Sequence, residues 1–183
     1  MDLNLVFLAI HLVGLALGLG GATISDILFF RAIKDKDVDP SEYSTLKVLS
    51  KVIWVGLILL IASGLGMFYL IYRQNSGSLP LLSSPRWQAK LTLVGIVLAN
   101  GFVFLSYVFP ALGNIGLSLT KFKLWLLAAS GTVSIVSWYG ILVVSILPRT
   151  FRPPYLYFMG AYLAVVIMGV IFARIVLGRR LAR

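Results

Sequence analysis

A chain of 183 residues that is 60% hydrophobic and 12% charged, with a mean hydropathy of +0.98, carries more apolar side chain than a water-soluble fold of its size can bury. Soluble domains run at roughly 45–50% apolar and about 25% charged. The net charge of +10 does not point to nucleic acid, because Lys and Arg fall between or beyond the apolar runs and no basic stripe carries interleaved aromatics for base stacking. The absence of cysteine excludes disulfides, thiolate metal sites and thiol chemistry.

The first apolar run, Leu3 to Phe30, is broken only by Asn4, His11, Thr23, Ser25 and Asp26, and it exceeds the roughly 20 residues a helix needs to cross a bilayer. It has neither the positive N-terminal region nor the clear small-residue cleavage site of a signal peptide, so it is expected to remain as a span. Residues 32–43 hold four of the six acids and a proline and read as a polar loop, with Asp39-Pro40 or Ser41 starting the next helix. The second span is expected from Val48 to Tyr72. After Gly77, Pro80 and Pro85 the third runs from Trp87 to Phe109, where Pro110 is expected to stop it. Gly113, Asn114 and Gly116 punctuate the turn to the fourth, Phe122 to Leu147, and Pro148 with Pro153-Pro154 separates that from the fifth, Tyr155 to Leu177.

Counting Lys and Arg on alternate sides gives eleven on the side of residues 31–51, 121–123 and the C-terminus, and five on the other. Positive loops stay cytoplasmic in most inner-membrane proteins. The expectation is therefore a single all-α domain over residues 1–183, a bundle of five transmembrane helices with the N-terminus outside and the C-terminus cytoplasmic, in a bacterial or archaeal inner membrane. Trp54 and Trp125 are expected at the inner interface, and Tyr69, Tyr72, Trp87, Tyr155 and Tyr157 at the outer one. Small residues four apart at Gly14 and Gly18, Ala62 and Gly66, Gly95 and Ala99, Ser130 and Ser134, and Gly160 and Ala164 are expected to let helices approach closely.

A polar side chain inside a span is costly, so each asks for a partner or a function. His11, the only histidine, lies about 12–15 Å below the outer end of its helix. It either hydrogen-bonds to a neighbouring helix, for instance a serine of the fourth span, or ligates a metal or haem iron. Lys90 one turn below Trp87, Arg86 beside it, the pair Trp138-Tyr139 and Tyr162 share the outer half with His11. Together they have the makings of a pocket for a flat, anionic or aromatic ligand; the alternative is that Lys90 snorkels to the headgroups and the aromatics face lipid. The candidate ligand-binding set is thus His11, Arg86, Lys90, Trp138, Tyr139 and Tyr162, with His11 as the metal candidate. Asp26 is expected to form an ion pair with Arg31, Lys47 or Lys51 at the inner interface, and Asn100 to bond between helices. With no second acid at membrane depth, a paired-carboxylate proton relay is disfavoured.

The stretch His11-Leu-Val-Gly14 followed by Gly20-Gly21, the run WVGLILLIASGLG from Trp54 to Gly66, and RWQAKLTLVGIVLANG with Trp87 and Lys90 resemble, over residues 1–110, a group of small bacterial integral membrane proteins. These are the CopD-like copper-resistance domain and, more distantly, the HemJ-type protoporphyrinogen oxidase. The HemJ resemblance implies a b-type haem on a first-helix histidine, at His11, with a third-helix lysine, at Lys90, as a second important residue. The CopD resemblance implies copper handling, although a single histidine and no cysteine leave few soft ligands. The residues favour an accessory or structural component of the membrane, whose partners are the lipid bilayer and a second copy or a larger membrane complex. A haem-binding redox protein with His11 as axial ligand and a path for small molecules or metal ions are the alternatives.

Overall fold

A computed structural model describes residues 2–34, 40–112, 121–148 and 150–181, and among these residues it is helical without strands. Helix α1 (Leu3–Lys34) is followed by α2 (Pro40–Gln74), a 3-10 turn (Pro80–Ser83), α3 (Pro85–Val103), a π-helical turn (Phe104–Val108), the short α4 (Phe109–Leu112), α5 (Lys121–Ile146) and α6 (Tyr155–Leu181). Five segments are long and apolar enough to span a membrane: Leu3–Phe29, Pro40–Gln74, Pro85–Tyr107, Trp125–Ile146 and Tyr155–Ile175. Hydrocarbon offers backbone N–H and C=O groups no partners, so a helix, which satisfies them internally, is the form such runs take. Large apolar side chains such as Leu65, Ile146, Leu156 and Phe172 point outwards, as lipid-facing residues do.

One helix start agrees with the sequence expectation and one helix end differs from it. Helix α2 starts at Pro40, where Asp39-Pro40 or Ser41 was expected to start it and well before the apolar span at Val48, because proline suits the first helical position. At 1.5 Å per residue α2 is about 50 Å long and outruns the roughly 30 Å hydrocarbon core. Pro110 does not stop the third span: the helical path widens into the π-turn Phe104–Val108 and runs through Pro110 to Leu112. Pro110 has no N–H to give to the preceding turn, and the wider π-turn just before it is where the helical path accommodates that loss. Gly113, Asn114 and Gly116 lie outside the described residues.

Close packing begins with α1 against α2. A Cβ on Gly14 would lie 2.8 Å from the Gly56 carbonyl oxygen, one on Gly56 2.5 Å from the Gly18 nitrogen, and one on Gly21 2.9 Å from Ile53. Helix α5 packs against α1, α3 and α6, and α3 also meets α6. Trp138 of α5 sits at the centre, 1% exposed, over Gly18 and among Leu57, Leu93, Val97 and Ile141. Large aromatics bridge α2 and α3, with Phe68 and Trp87 ring centroids 5.1 Å apart and Trp54 and Phe102 5.3 Å apart. Trp54 therefore packs between helices. Gly95 and Gly160 have nothing within 4 Å of a would-be Cβ, so the small pairs expected to pack there face outwards instead.

Each helix contact also carries a polar bond. Asn100 donates from Nδ2 to the Ser130 carbonyl at 3.0 Å and accepts from Ser130 Oγ at 3.0 Å, as expected of a helix-joining asparagine. Ser137 and Tyr162 hydroxyls are 2.9 Å apart, and those of Thr92 and Tyr155 3.1 Å, joining α6 to α5 and α3.

Candidate functional site

His11 lies on the face of α1 that meets α2, with Nδ1 3.0 Å from Ser63 Oγ. Ser63 has one hydroxyl hydrogen and gives it to the Leu59 carbonyl at 2.6 Å. His11 Nδ1–H is then the donor to Ser63, which leaves the lone pair on Nε2. The partner is a serine of the second span, not the fourth. The Gly14–Gly56 approach makes α1 and α2 the closest pair, and their antiparallel register brings Ser63 level with His11.

At the end of the bundle where α1 begins, a cleft of about 960 Å³ opens between the start of α3 and the link from α5 to α6. Three cationic residues line it: Arg86, Lys90 and Arg152. Arg86 Nε donates to the Val144 carbonyl at 2.8 Å and Nη2 to the Ser145 carbonyl at 2.7 Å, which caps the last turn of α5. Lys90 Nζ stands 5.4 Å from the Trp87 ring centroid. The first turn of α3, whose amides also carry partial positive charge, has no side-chain cap from Ser84. Of the described acids other than Asp2, Asp26 and Glu42 lie toward the opposite end.

The cleft continues into an apolar groove of about 660 Å³ between α5 and α6, and the two share Val144, Leu147, Phe151, Pro153 and Phe158. Tyr139 and Tyr162 border this groove, each with its hydroxyl tied back, Tyr139 to Thr23 at 3.3 Å and Tyr162 to Ser137.

A third space, about 60 Å³, lies toward the other end, among α1, α2, α3 and α5. Asp26, Ser25, Ser50, Asn100 and Ser134 line it together with Trp54 and Trp138. Asp26 does not make the expected ion pair: its Oδ2 is buried with no hydrogen-bond partner, while Arg31, Lys47 and Lys51 are exposed. The cause is helical phase. Asp26 turns toward α5, where a Cβ on Gly131 would be 3.5 Å from Oδ1, and the three cations point away from the bundle. Sequence reasoning did not gather this site. The signal was there, in a membrane-depth acid at the level of Asn100 and the Ser130-Ser134 hydroxyls.

Of the six residues expected to bind a ligand, Arg86, Lys90, Tyr139 and Tyr162 border the joined cleft and groove, Trp138 borders the inner cavity, and His11 borders none of the three spaces. The six therefore do not line one common space. Among the described residues no cluster of three or more His, Cys, Asp or Glu side chains stands ready for a metal ion. Comparison of the chain with family models, curated proteins and solved structures finds no match.

Proposed function

We propose that the protein is an accessory component of a bacterial or archaeal inner membrane, with its N-terminus outside, that holds an anionic lipid of the outer leaflet by its phosphate. The observation that carries this reading is the cleft at the α1-start end, lined by Arg86, Lys90 and Arg152 and, among the described residues, by no acidic side chain. Positive groups lining one cleft favour an anion among them. A phosphate suits them, because Arg and Lys bond its oxygens with charge-assisted hydrogen bonds and the uncapped start of α3 adds its own partial charge. The groove leading from the cleft along α5 and α6 is walled by Leu93, Val143, Phe158 and Val165, which suits an acyl chain and gives nothing to a free, chainless anion.

The test is native mass spectrometry and lipid extraction on protein purified in mild detergent. Wild-type protein is expected to retain anionic over zwitterionic phospholipid, and Lys90→Gln to lose most of that preference. Arg86 is left intact because it also holds the end of α5. Equal retention of both lipid classes by wild type and variant would sink the proposal.

A further inference from the structure

The buried Asp26 Oδ2 has no hydrogen-bond partner among the described residues, and the small cavity around it is polar on several sides. We infer that this cavity is a binding site for a small monovalent cation of the size of sodium, with the Asp26 carboxylate as its charged ligand and serine hydroxyls as neutral ones.

Charge comes first. A carboxylate shut away from water needs a compensating charge or a set of donors. Arg31 of α1 and Lys47 and Lys51 of α2 are exposed, Arg73 of α2 and Arg86 and Lys90 of α3 lie toward the other end of their helices, and no charged side chain lines the cavity besides Asp26. From α3 and α5 the cavity receives only neutral groups, Asn100 and Ser134. One carboxylate and no second acid in the lining balance a single positive charge, which rules the site toward a monovalent ion and away from a divalent one.

Volume comes next. A water molecule has a share of about 30 Å³ in the liquid. At about 60 Å³ the cavity has room for a small ion together with a few water molecules.

The ligand chemistry agrees. Ser25, Ser50 and Ser134 line the cavity, and their hydroxyls take part in none of the side-chain hydrogen bonds found among the described residues. Oxygen ligands of this kind replace the hydration shell of a hard cation. Asn100 is held in place by its two bonds to Ser130 and so forms a fixed wall. Phe104, which also lines the cavity, opens the π-helical turn of the third span, and such turns recur at functional sites because they re-aim backbone groups. A proton on Asp26 would answer the charge in another way, and the experiment below separates the two.

The experiment is thermal unfolding of the detergent-solubilised full chain in sodium, potassium or choline chloride at equal ionic strength. Sodium at ten times its dissociation constant is expected to raise Tm by about 3–6 °C over choline. Asp26→Asn, nearly isosteric and uncharged, should abolish the shift, and Ser134→Ala should raise the sodium concentration at half-effect by about tenfold, the loss of one oxygen ligand. If Asp26→Asn does not fold, the wild-type salt dependence and Ser134→Ala still decide. Identical Tm in all three salts, with an infrared band of a protonated carboxyl that Asp26→Asn removes, overturns the inference in favour of a proton. An equal shift with potassium overturns the assignment by size. Neither result bears on lipid retention at the opposite end, so the two proposals stand or fall separately.

Discussion

At Gly18 the indole of Trp138 occupies the place where any other residue would carry its Cβ. Trp138 is enclosed by Leu57, Leu93 and Ile141, so its ring has nowhere to retreat. Gly18→Ala is therefore expected to destabilise the protein by about 1–3 kcal/mol through over-packing, read as a lower midpoint of unfolding in detergent. Gly160→Ala is the control: with nothing within 4 Å of its Cβ, the change should stay within about 0.5 kcal/mol. Equal effects at the two positions would mean that Gly18 is not pressed against a ring. The same scale explains His11. An imidazole against hydrocarbon needs a partner, and the sequence pointed it inward correctly. Which helix supplies the partner depends on the Gly14–Gly56 approach, and that is a tertiary fact.

Among the elements, α5 depends on a residue from another helix for its last turn. Helix ends leave carbonyls without intrahelical partners, and Arg86 of α3 covers two of them with a forked guanidinium. Arg86→Lys keeps the charge but offers a single point donor. It is expected to cost about 1–2 kcal/mol and to speed hydrogen exchange in the final turn of α5, leaving its centre protected. Unchanged exchange there would show that the carbonyls find water instead. The five spans were legible in the sequence because hydrocarbon length and backbone satisfaction leave few options. The inward faces were not. Gly14 and Gly95 look alike in sequence, yet one meets a backbone and the other nothing, since apolar positions facing lipid and facing protein obey the same composition. Likewise Lys90, Arg86, Tyr139 and Tyr162 border the cleft and groove, whereas Trp138 lies in the core in the space over Gly18. Asp26 was assigned to surface cations by proximity in sequence, and a rotation about the helix axis, invisible to spacing alone, set it in a cavity instead.

Across the whole molecule the two polar spaces lie toward opposite ends of the bundle, and one packed cluster borders both. It reaches the basic cleft through Val144 and the Asp26 cavity through Leu57, Val97 and Trp138. Which side of the membrane each faces follows from orientation, for which the eleven-to-five division of Lys and Arg is the argument. The chain has no cysteine, so a single introduced thiol reports without ambiguity. Ser76 lies exposed in the turn after α2 and Ser44 exposed in the early turns of the same helix, at its other end. With an impermeant thiol reagent added to intact cells, Ser76→Cys is expected to label and Ser44→Cys to label only after the membrane is opened. The reverse pattern would place the N-terminus inside. The basic cleft would then face cytoplasmic lipid, where anionic headgroups are concentrated, and the Asp26 cavity would open toward the outer medium. Labelling of both positions in intact cells would mean that α2 does not cross the membrane at all, against its length and composition.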